Sequence, residues 1–127
     1  MRAFIGDDRG GSALDMALVL PTYLLMVLGV VGMGFLLWTE NAIQTAVQQA
    51  ARCASINKND CGTATQVQNA AVGWSYGIVT DPNQVQVNFR ATCSSGQGGT
   101  IVLIQYPVNF FVLSTTVAAE ACYPDLS

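Results

Sequence analysis

Apolar and polar positions divide the chain into contrasting stretches. From Met16 to Trp38 no charged residue occurs, and at ~1.5 Å per residue a helical run of this kind crosses the ~30 Å hydrocarbon core of a bilayer. Beyond Trp38 the pattern becomes one-sided. Ile43, Ala46, Val47, Ala50, Ala51 and Ala54 recur at helical spacing, with Gln44, Thr45, Gln48, Gln49 and Arg52 on the opposite face. No Gly or Pro interrupts Trp38 to Ser55, so one helix from near Ser12 to Ser55 is expected, lipid-embedded first and amphipathic afterwards. Pro21, Gly29, Gly32 and Gly34 are the candidate helix-packing positions of the apolar part. Proline removes a backbone hydrogen bond there, and glycines admit a neighbouring helix closely.

The remainder is mixed. Ile56 to Gly62 is polar and reads as a loop carrying Cys61. Thr63 or Thr65 caps a second, short helix whose apolar positions Val67, Ala70, Ala71 and Trp74 lie on one face. Asp81, Pro82 and Asn83 form a turn. Val85, Val87, Phe89 and Ala91 alternate with Gln84, Gln86, Asn88 and Arg90, the pattern of a strand with one wet face. Ser94 to Gly99 connects it to a β-prone run from Thr100 to Tyr106, where Pro107 confines the strand to an edge or ends it. A loop is expected around Asn109 to Leu113, and a third strand within Ser114 to Cys122. The predicted fold class is therefore α+β: a long N-terminal transmembrane and amphipathic helix, a second short helix and a small antiparallel three-stranded sheet.

Charge gives the anchor a direction. Arg2 and Arg9 precede the apolar run and the next basic residue is Arg52, so the positive-inside rule places the N-terminus in the cytoplasm. A removable signal peptide is a poor fit, because bulky Phe35 to Trp38 end the run and the small residues Gly10 to Ala13 stand before it. The expected organisation is a cytoplasmic leader at 1–10, a transmembrane helix at 11–38 and a periplasmic domain at 39–127 that continues the helix. Cys53, Cys61, Cys93 and Cys122 all follow the apolar run, and an even number of cysteines in a small extracytoplasmic body reads as two disulfides. In an antiparallel meander the ends of the first and third strands share an edge, so Cys93 pairs with Cys122 and Cys53 with Cys61. The two bridges are worth about 3.6 and about 2.6 kcal/mol in the chain-entropy model. Few residues are left outside the membrane to build a core, which makes such staples important.

Candidate chemistry narrows to one group. The chain has no His and a single lysine, Lys58. Glu40, Asp60, Asp81, Glu120 and Asp125 form no spaced pair suited to acid–base work, so no catalytic residue and no enzyme activity is expected. Without His or a CxxC pair no metal site is expected, and no cofactor. A formal net charge of −3 and the lack of a basic patch argue against nucleic acid. The exception is Asp15, a carboxylate one turn inside the apolar segment. An ionised group within a membrane helix costs about 2.5 to 3.5 kcal/mol, and it is commonly paired or held at the interface.

Asp15-Met16-Ala17-Leu18-Val19-Leu20-Pro21 is preceded by Arg9-Gly10-Gly11-Ser12-Ala13 and followed by the long apolar run and Ala50-Ala51-Arg52-Cys53. In these features the chain resembles the TadE-like family of minor pilins, or pseudopilins, of tight-adherence (Flp-type, type IVc) pilus systems, with weaker similarity at Ala121-Cys122-Tyr123-Pro124. Members usually carry Glu where this chain has Asp15. The resemblance implies a type IV pilin-like fold and removal of the leader by a prepilin peptidase. Cleavage between Gly10 and Gly11 makes Asp15 the fifth mature residue, where the family's carboxylate pairs with the amino terminus of a neighbouring subunit. The function implied is that of a minor pilin or pseudopilin which helps initiate, cap or anchor a pilus involved in cell adhesion. Its expected partners are the bacterial inner membrane, other pilins and minor pilins, and the pilus assembly platform. Two alternatives stand beside it: a stand-alone membrane-anchored envelope protein, and a component of a type II secretion pseudopilus.

Overall fold

One long helix and a three-stranded sheet account for most of the described chain. The computed structural model describes residues 8–110 and 113–125. The elements are helices α1 (Asp8–Ile56), α2 (Lys58–Cys61) and α3 (Ala64–Trp74), a 3-10 turn (Pro82–Gln84), and strands β1 (Val85–Thr92), β2 (Gly98–Phe110) and β3 (Leu113–Pro124). The layout is α+β. Two compact units divide the chain, Met1–Phe35 and Leu36–Ser127, and α1 contributes to both.

In the first unit α1 starts at Asp8, earlier than the sequence pattern suggests, and runs through Pro21 without a break. Proline has no N–H to give the preceding turn. The neighbouring Thr22 hydroxyl donates to the Leu18 carbonyl at 3.4 Å. Every residue from Gly11 to Val31 is exposed.

The second unit folds on the amphipathic half of α1. Ile43, Ala46, Val47, Ala50 and Ala51 are each 0% exposed and form one cluster with Val67, Ala71, Val79, Val85, Val102, Ile104 and Ala119. The alanines matter because short side chains let the sheet approach the helix axis closely. The segment read as a loop from Ile56 to Gly62 instead contains α2, a single turn in which Asn57 donates from Nδ2 to Asp60 Oδ2 at 2.7 Å. Cys53 and Cys61 are bonded across it, with Cα atoms 5.7 Å apart. Thr63 caps α3 in a reciprocal box: the Gln66 N–H donates to Thr63 Oγ1, and the Thr63 N–H donates to Gln66 Oε1. At the other end of α3 the buried Ser75 hydroxyl donates to Val72 O at 2.8 Å and accepts from the Val79 N–H at 3.2 Å. Val67 and Ala71 face the core, whereas Trp74, on the same apolar face by sequence, is 40% exposed.

The sheet is an antiparallel meander in the order β1-β2-β3. Gly96 makes its first connection, with φ at 79° and its N–H on the Cys93 carbonyl at 2.8 Å, a backbone shape that glycine adopts without penalty. The expected loop at Asn109 to Leu113 is corrected by the ladder: Asn109 pairs with Ser114 and Phe110 with Leu113, so β2 extends to Phe110 and β3 begins at Leu113. Only Phe111 and Val112 of that expected loop lie outside the described residues. Pro107 neither ends β2 nor lies on an edge strand of the sheet. It pairs with Thr116 of β3, and β1 has already stopped at the Val85–Ile104 pair, so β2 has a neighbour on one side only at this level. A missing N–H is tolerated on that open side.

The register of β1 against β2 slips between Asn88 and Ala91, which sets Phe89 and Arg90 opposite the single residue Thr100. This bulge explains why Phe89, inward by alternation, is 39% exposed. It also holds Arg90 at φ 60°, a left-handed conformation that costs a non-glycine residue on the order of 1 kcal/mol. Cys93 and Cys122 are bonded at the sheet end, Cα atoms 5.8 Å apart. A Cβ on Gly99 would run into the Tyr123 carbonyl oxygen and come within 3.0 Å of Cys93 Sγ, so the bridge depends on the bare backbone at this point.

Candidate functional site

Asp15 lies on α1 four residues after Gly11, one helical turn along the same face. Its surroundings are apolar and open: Leu14, Met16, Leu18 and Val19 are each at least 64% exposed. Asp15 makes no ion pair or hydrogen bond with another described residue. A carboxylate in this setting can accept hydrogen bonds from, or pair with, a cation supplied by another molecule, and it has nothing within the described chain to compete. Gly10 and Gly11 both fall within α1, so the expected cleavage point is on the helix rather than in a preceding coil. The rest of the leader, residues 1–7, lies outside the described residues.

The helix-packing positions differ among themselves. Gly29 and Gly34 are exposed, and a Cβ at either would meet nothing within 4 Å. Gly32 is buried. Pro21 is exposed. Tyr23, Met26, Val27, Val30 and Val31 line a shallow apolar depression on the same helix. By length and composition α1 qualifies as a membrane-crossing helix, and only 6% of its most apolar window is buried within the protein. A surface this apolar is unfavourable in water, where each exposed Leu or Val side chain forgoes about 1.5 to 3 kcal/mol of burial. The segment is thereby suited to membrane anchoring.

The four sequence-predicted cysteines sit in the other unit as the two disulfides described above, and no group of His, Cys, Asp or Glu suited to a metal occurs among the described residues. Asp15 belongs to the first unit and the four cysteines to the second. They serve separate ends of α1: the carboxylate near its start, the Cys53–Cys61 bridge at its close.

An anchor helix with a small-residue start, a carboxylate one turn in and an amphipathic continuation is the arrangement on which a comparison can decide. Residues 10–52 match the TadE-like protein family. The matched stretch begins at Gly10, includes Asp15 and the whole apolar run, and ends at Arg52, so the sheet and both bridges lie outside it. No curated protein and no solved structure matches the chain. Of the residues quoted in the sequence resemblance, Gly10 to Pro21 and Ala50 to Arg52 fall inside the matched stretch, whereas Arg9, Cys53 and Ala121 to Pro124 fall outside it. One group of residues was not visible in the sequence at all. Lys58, Arg90, Thr100 and Asp125 meet around a groove in the second unit, where the bulge and the strand register place them.

Proposed function

We infer that this chain is a pilin-like subunit of a tight-adherence pilus system. In this reading it crosses the bacterial inner membrane once, with its N-terminus cytoplasmic and the sheet-bearing unit periplasmic. It acts as a minor pilin or pseudopilin, helping to initiate, cap or anchor the pilus through helix packing rather than catalysis. Its partners are other pilins, the assembly platform and the prepilin peptidase that trims it. The observation that carries this is the TadE-like match from Gly10 to Arg52, which contains an Asp15 without an ion pair among the described residues, on an apolar, exposed helix.

The physical logic starts from that carboxylate. An ionised Asp in hydrocarbon with no partner is costly. Processing at Gly11 creates an ammonium group one turn from Asp15 on its own helix, and lateral association with an axial offset of ~6 Å sets it beside the Asp15 of a neighbour. There the pair is far stronger than in water because the dielectric is low. Assembly is thus coupled to axial register, since an offset other than about one turn leaves both charges unpaired.

Deleting the chain in a host that makes such pili is expected to reduce surface pili by at least about thirtyfold, no less than loss of its one charge pair would, and the full-length chain supplied in trans restores them. Pilus counts unchanged by the deletion would contradict this reading and favour a membrane-anchored envelope protein that never enters assembly.

A further inference from the structure

Where the β1 bulge faces the end of α1, a groove of about 320 Å³ is lined by Ala54, Lys58, Phe89, Arg90, Thr100 and Asp125. The backbone marks it first. Arg90 is held at φ 60°, a conformation in which glycine is unstrained and arginine is not. Glycine would relieve the fold at this position, yet the chain keeps a guanidinium.

Charge marks it again. Arg52, Lys58 and Arg90 are the basic residues that follow the apolar run, and two of them stand at this groove. Lys58 reaches Asp125 at 3.5 Å, both side chains being partly exposed. Arg90 has no ion pair among the described residues. The lining therefore carries two cations against one carboxylate, a local surplus of positive charge in a chain whose formal charge is −3. Thr100, 3% exposed, forms part of the groove floor.

We propose that this groove is a docking site for a single carboxylate on an aliphatic stem, the side chain of a glutamate from an adjoining protein subunit. Arg90 supplies the planar fork that matches a carboxylate with two parallel hydrogen bonds. Lys58 is shared between Asp125 and the incoming group, which disturbs little because an exposed pair of this kind is weak to begin with. Phe89 and Ala54 provide an apolar wall for the methylenes. A doubly charged phosphate fits worse, since Asp125 repels it and one positive charge in surplus balances one negative charge. Acidic groups of the required kind are present on the chain's own surface, at the exposed Glu40 and Glu120, so a second copy carries suitable partners. The adjoining subunit as source rests on the assembly reading above. The site itself does not, and it is tested with no other pilus component present.

The test is a titration of the full-length protein in detergent micelles, followed by NMR of nitrogen-labelled arginine and lysine side chains. The probe is propionate, with phosphate and chloride at matched ionic strength alongside. Propionate is expected to give a saturable shift at the Arg90 Nε–H with a Kd on the order of 100 mM, as for a weak, exposed charge-assisted contact. Arg90→Gln weakens it by about tenfold, and Arg52→Gln leaves it unchanged. Arg90→Gly is expected to melt at a higher temperature than the parent while losing the shift, which separates a binding role from a structural one. The proposal is overturned if propionate and chloride give the same unsaturable drift, if phosphate binds as tightly as propionate, if Arg90→Gln retains the parent affinity, or if Arg90→Gly melts lower.

Discussion

An Ala50→Glu variant is expected to lose the folded sheet-bearing unit while remaining in the membrane. Ala50 is 0% exposed and belongs to the stripe of α1 against which α3 and the sheet are packed. A carboxylate placed there has no cation among the residues of that cluster, and burying an uncompensated charge costs several kcal/mol after relaxation. Overpacking adds about 1 to 3 kcal/mol. Since small domains have only about 5 to 15 kcal/mol of net stability, the sum removes most or all of it. The neighbouring Gln49 is exposed, so Gln49→Glu serves as the control, with an effect within about 0.5 kcal/mol. Limited proteolysis in detergent reads the difference. If Ala50→Glu keeps the parent's protease resistance, the α1 stripe is not the core of this unit.

Asp15→Asn is expected to separate folding from assembly. Asp15 belongs to the first unit and is not a member of the second unit's core cluster, so the variant should insert, form both disulfides and resist protease as the parent does. Assembly should fail. Removing one member of a close charge pair in a desolvated setting costs about 2 to 5 kcal/mol, chiefly because the other charge is left unpaired, and each 1.4 kcal/mol is about tenfold in an equilibrium. Pilus counts and cross-linking to partner pilins are therefore expected to fall by at least about thirtyfold. Asp15→Glu, the residue usual in the resembling family, retains function. Normal pili on Asp15→Asn cells would reduce Asp15 to an interfacial residue with no pairing role.

What the chain discloses before folding depends on how local the cause is. The core face of α1 is legible because Ile43, Ala46, Val47 and Ala50 repeat at the period of one helix, and the cap at Thr63 because the cap and its Gln66 partner are three residues apart. Strand order was enough to pair Cys93 with Cys122, since a meander returns its first and third strands to the same end. Pro107 misleads because its tolerance is set by where β1 ends, a fact of register and not of the strand that carries the proline. Asn109 reads as the start of a loop, yet it pairs with Ser114 and Phe110 pairs with Leu113, because cross-strand register extends the ladder through this segment. Trp74 keeps the helical period of α3, yet little packs over the end of that helix, and 40% of it stays exposed. The candidate sites divide along the same line. Asp15 stands out within a single apolar run, whereas the groove at Arg90 gathers residues from Ala54 to Asp125, and a bulge that no local pattern announces creates it.

The most direct test of a processed, laterally assembling anchor is the mature N-terminal residue of the protein purified from cells that make the pilus. Intact mass and N-terminal sequencing are expected to show a chain beginning at Gly11, which places Asp15 fifth. A chain retaining Arg9 and Gly10, or one cut beyond Asp15, would contradict the account.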